Sequence, residues 1–104
     1  MNSFEDREKN FEKKFAHDEE IQFKVSAKRN KYLGEWVADK LNKKGLSKNE
    51  YIQEVIKSDF KEPGDEDVFR KVKNDFKSAG IEIDDKSIRE KMIFFLDQAK
   101  KEFI

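Results

Sequence analysis

Residues 84–103, DDKSIREKMIFFLDQAKKEF, decide the fold class of this 104-residue chain. Their apolar residues recur at i, i+4, i+7, i+8, i+11 and i+15, which is the spacing of one buried helix face. Asp84 stands before the pattern as a natural N-cap. The stretch therefore predicts a helix over about residues 85–103, with an inward face formed by Ile88, Met92, Phe95, Leu96, Ala99 and Phe103.

Three further helices are predicted upstream by the same spacing, and the short loops between them should make sequential neighbours pack antiparallel. The predicted ranges are about 19–43, 48–60 and 66–79. Trp36 is predicted to be a central core residue because it lies on the best apolar stripe of the first of these helices. The inward residues predicted for the three helices are Leu33, Trp36, Val37 and Leu41, then Ile52, Val55, Ile56 and Phe60, then Val68, Phe69, Val72, Phe76 and Ala79.

Capping residues predict where these helices begin and end. Ser47 and Glu50 have the spacing of a capping box, so the second helix is expected to begin at about residue 48. Asp65 is the natural N-cap of the third. Gly45 and Gly80 are expected to end the first and third helices. The fold class predicted is all-α, a four-helix bundle.

The composition excludes several classes of protein. With 44% charged residues, 36% hydrophobic residues and a formal net charge of zero, the chain is expected to form one domain with a charged surface. The absence of cysteine excludes a disulfide framework. A neutral balance argues against nucleic-acid binding, and no apolar run is long enough for direct membrane insertion. The expected partner is therefore another protein.

The N-terminal stretch, residues 1–18, has a different character from the rest of the chain. A helix over this stretch would place Phe4, Phe11 and Phe15 within about 40° of one another, surrounded by charged residues. Burying three Phe side chains contributes roughly 6 to 9 kcal/mol, whereas ordering some fifteen residues costs roughly 15 to 30 kcal/mol. We therefore divide the chain into residues 1–18, expected to be mobile or partly helical when free, and a bundle over residues 19–104.

Several stretches occur together in an order that resembles one known family. They are FEDREK at 4–9, FEKKFAHDEE at 11–20, RNK at 29–31 followed by Leu33-Gly34 and Trp36, and DFKEPGDEDV at 59–68. The chain resembles a zeta-type inhibitor subunit of a bacterial ATP synthase from end to end. The resemblance implies a four-helix bundle whose N-terminal segment inserts at a catalytic αβ interface of the synthase head, beside the rotating shaft, and blocks ATP-driven rotation. The second half of this chain is richer in lysine than the family pattern.

The resemblance implies a non-enzymatic regulator whose partner is the catalytic head, made of the alpha, beta and gamma subunits. The free protein is expected to be a monomer, and the location to be cytoplasmic, peripheral to the inner membrane through the ATP synthase. In the docked segment the three rings would be anchors and the cations would pair with acidic groups at the rim. The expected partner-binding residues are Phe4, Arg7, Lys9, Phe11, Lys13, Lys14 and Phe15.

A second candidate site lies in a basic stretch, residues 24–31, that contains no acidic residue and precedes Trp36. The resemblance leaves weak adenine-nucleotide binding open, although a solvated basic face is favoured because the chain has no glycine-rich phosphate loop. No other cofactor is expected. The nucleotide-binding residues would be Lys28, Arg29, Lys31 and Trp36.

Other chemistry is weighed against blander interpretations. His17, the only histidine, is either a pH sensor beside three acids or, as we favour, a solvated residue, and a lone histidine does not make a zinc site. The acids between residues 59 and 67 lack the spacing of a calcium loop and are expected to cap helices. Three functions stay in competition: the inhibitor, a small nucleotide-binding helical module, and a non-inhibitory interaction scaffold.

Overall fold

The computed structural model of the protein describes residues 19–61 and 64–103. These residues form four helices and no strand: α1 Glu19–Lys40, α2 Leu46–Ser58, α3 Glu66–Ser78 and α4 Asp85–Lys101. The all-α class and the four helices predicted from the sequence are therefore confirmed. The segment expected to be mobile or partly helical, residues 1–18, lies outside the described residues.

Side-chain pairs show that neighbouring helices run antiparallel. Between α1 and α2, Asp39 accepts a bond from Lys48, while Arg29, ten residues earlier, reaches Asp59. The long helix α1 packs against both α2 and α4, and α3 completes the bundle. The other helix pairs are also antiparallel. Tyr51–Asp75 and Glu54–Lys71 join α2 to α3, and Lys73–Asp85 and Glu66–Arg89 join α3 to α4. Tyr32–Glu102 and Trp36–Lys91 join α1 to α4.

The core lies between the four helices and takes residues from each of them. Burial of one Val, Leu, Ile or Phe side chain contributes about 1.5–3 kcal/mol, so this cluster is the main source of stability. Gly34 allows α1 to approach α2 closely, because a Cβ at this position would lie 3.1 Å from the Cα of Ile52. The buried cluster consists of Leu33, Val37, Ala38, Tyr51, Val55, Val68, Phe69, Val72, Phe76, Ile88 and Met92.

The end of α1 is set by Asn42 rather than by Gly45. Asn42 has a left-handed φ of 60°. The N–H of Lys43 donates to the carbonyl of Ala38 at 2.9 Å, which is the bonding pattern of a Schellman motif. The helix therefore ends at Lys40, before the predicted residue 43.

The predicted start of α2 was late by two residues. Because α1 ends early, the chain has already turned by Gly45, which is the N-cap with φ of 58° and offers no side-chain bond. Ser47 lies inside the first turn, so the capping box with Glu50 was the wrong starting signal.

The starts of α3 and α4 follow the prediction. Asp65 is the N-cap of α3, although its side chain makes no capping hydrogen bond. Asp84 is the N-cap of α4, and its carboxylate accepts the N–H of Ser87 at 2.8 Å. Gly80, with φ of 71°, follows the end of α3 as predicted.

Trp36 and Phe60 were predicted to be in the core but lie outside the buried cluster, as does Phe95 at its edge. Trp36 is only partly buried and meets the fully buried Phe76 edge-on, with ring centroids 5.6 Å apart. Leu33 and Val37 occupy the centre of the α1 face, which leaves Trp36 turned toward α4. Phe60 is 61% exposed because α2 ends at Ser58 and the ring lies in the turn that follows.

Candidate functional site

The predicted partner-binding residues fall in the N-terminal segment. All of them lie outside the described residues, so their role stays a prediction. They are Phe4, Arg7, Lys9, Phe11, Lys13, Lys14 and Phe15.

The sequence predicted that Arg29 would lie on a solvated basic face, and this prediction was wrong. Arg29 is 4% exposed, and its guanidinium lies 3.8 Å from Asp59 and 3.6 Å from Asp65. Its Nε also donates to the side-chain oxygen of Asn30 at 2.6 Å, and the amide of Asn30 donates to Asp59 at 3.0 Å. This network ties α1 to the turn between α2 and α3. Asp65 and Asp59 occupy the N-cap of α3 and the C-cap of α2, but their carboxylates neutralise the buried cation and make no capping hydrogen bond.

The four residues proposed for nucleotide do not meet in one place. Lys31 is exposed and Lys28 is partly buried on α1. Arg29 points inward to two carboxylates, while the ring of Trp36 lies against α3 and α4. One of the three cations is thus already neutralised, which weakens the premise that the stretch has no competing acid. Nucleotide binding itself stays a prediction.

Trp36 lines an open cleft of about 720 Å³ between α1 and the start of α4. The ammonium of Lys91 lies over three rings there, 5.5 Å from the centre of Phe94, 5.7 Å from Trp36 and 6.0 Å from Phe95. Acidic and basic side chains both line the cleft, so it favours no single ligand charge. Its other charged residues are Lys40, Glu82, Asp84 and Glu90.

A second exposed aromatic surface, which the sequence analysis missed, joins α1 to the turn after α2. The rings of Phe23 and Phe60 stack with centroids 5.6 Å apart and planes 8° apart. Because the rings stack, each covers one face of the other. The opposite faces stay open, since Phe23 is 56% and Phe60 61% exposed. Phe23 is the only aromatic residue between residues 19 and 31, and that isolation was the available signal.

The shifted pKa values have structural causes. The hydroxyl of Ser87, followed by its backbone N–H, lowers the pKa of Asp84, and the hydrogen bond from Arg89 lowers the pKa of Glu66. Burial, followed by the hydrogen bond to Asp75, raises the pKa of Tyr51. The described ranges contain no group of three or more side chains suited to hold a metal ion. None of the four helices is long and apolar enough to cross a membrane.

The described residues form an all-α bundle with a charged surface and two exposed aromatic surfaces. The sequence before the bundle carries three phenylalanines. A search of curated proteins found no match. A family model described as ATPase inhibitor subunit zeta matches residues 1–102, which is nearly the whole chain. The chain therefore belongs to the ATPase inhibitor subunit zeta family.

Proposed function

We propose that this chain inhibits ATP hydrolysis by a bacterial ATP synthase through its N-terminal segment, residues 1–18. The observation that carries the proposal is the family match, which begins at residue 1 and so includes that segment. In this proposal the segment inserts at a catalytic αβ interface of the head, next to the rotating shaft, and stops rotation. The protein acts as a regulator rather than a catalyst, on the cytoplasmic side and peripheral to the inner membrane.

The packing of the bundle supports separate roles for the bundle and for residues 1–18, because α1 to α4 bury one another's apolar faces. The core cluster is drawn from residues between Leu33 and Met92, and Phe76 and Leu33 are the largest of its fully buried side chains. The phenylalanines of residues 1–18 are therefore not required to fill this cluster. A separate, partner-directed role suits three rings at helical spacing.

The mechanism proposed for the segment is folding upon binding. Residues 1–18 would form a helix in the groove of the partner, with Phe4, Phe11 and Phe15 as its buried anchors. The cations between these rings would pair with acidic groups at the rim, where charge affects the association rate and register more than the affinity. Ordering the segment costs free energy, so the three anchors must supply most of the binding.

The test is ATP hydrolysis by the purified catalytic head of the cognate synthase, measured with the full chain and with a chain that begins at residue 19. The full chain should inhibit, and the shortened chain should not inhibit at any concentration up to 100-fold higher. Circular dichroism of the shortened chain must show the same helical bundle, so that loss of inhibition is not loss of folding. Equal inhibition by both chains would contradict the proposal, and binding without inhibition by the full chain would favour the scaffold.

A further inference from the structure

We infer that the stacked pair Phe23–Phe60, with the lysines beside it, is a second docking surface that binds an apolar, acid-rimmed patch on the partner that receives residues 1–18. The inference rests on the proposed function, because it extends the proposed interface from the N-terminal segment onto the bundle. We call the surface formed by Phe23, Lys57, Phe60 and Lys61 the aromatic end surface.

The first argument is the exposure of the two rings. Phe23 and Phe60 are 56% and 61% exposed although they stack on each other. Stacking covers only one face of each ring, so the opposite faces form an adjoining apolar pair that is available to a partner. Neither ring is needed for the core cluster, which contains neither residue.

The second argument is the charge beside the rings. Lys57 lies one helical turn before Phe60, and Lys61 follows it directly. Neither ammonium group has an ion-pair partner among the residues that the structure describes. The acid between them, Asp59, is turned inward to Arg29 and is only 14% exposed at its side chain. On the α1 side, Glu19 and Glu20 stand one helical turn before Phe23, and Glu20 pairs with Lys24. On the α2 side the edge of the surface is positive, which suits a partner with carboxylates around an apolar patch.

The third argument is position. Phe23 is four residues after Glu19, the first residue of α1, and therefore about 6 Å along the helix. Whatever binds residues 1–18 must come close to this surface. If the segment continues α1 as a helix in the complex, Phe15 and Phe23 lie about 80° apart and about 12 Å along the axis, so the two surfaces adjoin.

A second copy of this chain is a poorer occupant. In a two-fold dimer the same surface meets itself, and the lysines of one copy would face those of the other. Such like-charge contact disfavours association. The chain's own N-terminal segment mixes five acidic with four basic residues, so its charge complements the lysines less well than a purely acidic rim. The partner's acidic surface is the better match.

The experiment measures binding of the full chain to the purified synthase head, with the association rate followed at low and moderate salt. Phe23→Ser/Phe60→Ser should weaken binding roughly 10- to 100-fold, in the range of a lost aromatic anchor pair. Phe94→Ser is the matched control, because that ring is 55% exposed but lines the cleft beside Trp36, and it should change binding less than about 2-fold. Thermal melts must show that each variant keeps the bundle.

A charge-reversal pair tests the rim independently of the rings. Lys57→Glu/Lys61→Glu should slow association at least 5-fold at low salt and reduce its salt dependence, since rim charges steer encounter. Lys77→Glu/Lys86→Glu makes the same change of net charge elsewhere on the bundle and should have little effect. Equal slowing by both pairs would reduce the effect to net charge and overturn the inference.

Other results separate this inference from the proposed function. Normal binding by Phe23→Ser/Phe60→Ser, together with loss of inhibition by Phe11→Ser/Phe15→Ser, would overturn the docking surface and leave the proposed function standing. Failure of both double variants to alter inhibition would remove the proposed function. Tighter binding by Phe23→Ser/Phe60→Ser would show that the surface holds the chain's own segment. A wild-type dimer in sedimentation that this variant abolishes would show that it holds a second copy.

Discussion

Replacement of Arg29 by methionine should destabilise the bundle by about 3 kcal/mol, because breaking a buried ion pair by removing one partner costs roughly 3–5 kcal/mol. The Arg29 side chain is 5% exposed, and its guanidinium lies within 4 Å of two carboxylates. Asp59 and Asn30 are both largely withdrawn from solvent and would lose a partner. Asp65 is 48% exposed and would be solvated instead, so it adds little.

Urea unfolding followed by circular dichroism measures this loss. For a domain of this size about 3 kcal/mol corresponds to a fall in Tm of roughly 12–24 °C. Lys24→Met is the control on the same helix, since its pair with Glu20 is exposed at both ends and should contribute less than about 0.5 kcal/mol. The double variant Arg29→Met/Asp59→Asn should lose less than the sum of the single variants. A loss below about 1 kcal/mol for Arg29→Met would refute the reasoning that a buried network ties α1 to the turn.

Three further predictions concern other parts of the bundle. Gly34→Ala should lower stability by about 1 kcal/mol in urea, because crowding against Ile52 outweighs the gain of about 1 kcal/mol in helix propensity, and a net gain would contradict the close approach. Trp36→Ala should cost about 2 kcal/mol and Phe76→Ala about 4 kcal/mol, so equal losses would return Trp36 to the core. The lowered pKa of Asp84 means that its contribution is present above the ordinary value of 3.8 and is lost as the pH falls through the lower folded value. Asp84→Ala should therefore flatten the fall in stability as the pH drops below 3.8, and an unchanged acid profile would contradict the cap.

Helix positions could be predicted from the sequence because their signals are local. The apolar spacing of α4 and the cap at Asp84 lie within a few residues of each other, and both appear in the structure. The early end of α1 was missed because Asn42, unlike glycine, only sometimes adopts the left-handed conformation. Apolar spacing and capping residues therefore predicted the existence of each helix more reliably than the residue at which it ends.

The surroundings of Arg29 could not be predicted because its partners come from about 30 residues away. A signal was present, since Val25, Arg29, Leu33 and Val37 follow one another at i+4 and the other three are fully buried. A cation on such a ridge must find buried acids. The sequence shows the need for partners but does not show which acids meet it.

The aromatic surfaces were missed for a related reason. Phe60 continues the apolar stripe of α2 in sequence, but α2 ends two residues before it, so the ring leaves the core and stacks on Phe23. Exposure of this kind depends on where two helices end relative to each other. Periodicity alone does not contain that information.

The central claim, that residues 1–18 are the inhibitory element, is tested most directly by ATP hydrolysis of the synthase head in the presence of Phe11→Ser/Phe15→Ser. Each ring buried in the complex is worth roughly 2–3 kcal/mol, so the double variant should lose inhibition by about 10³-fold or more in concentration. Phe11→Leu/Phe15→Leu keeps apolar anchors and should retain most of the inhibition, and the Tm of the free protein should stay nearly unchanged in both variants. Normal inhibition by the serine variant, or a large fall in its Tm, would contradict the claim.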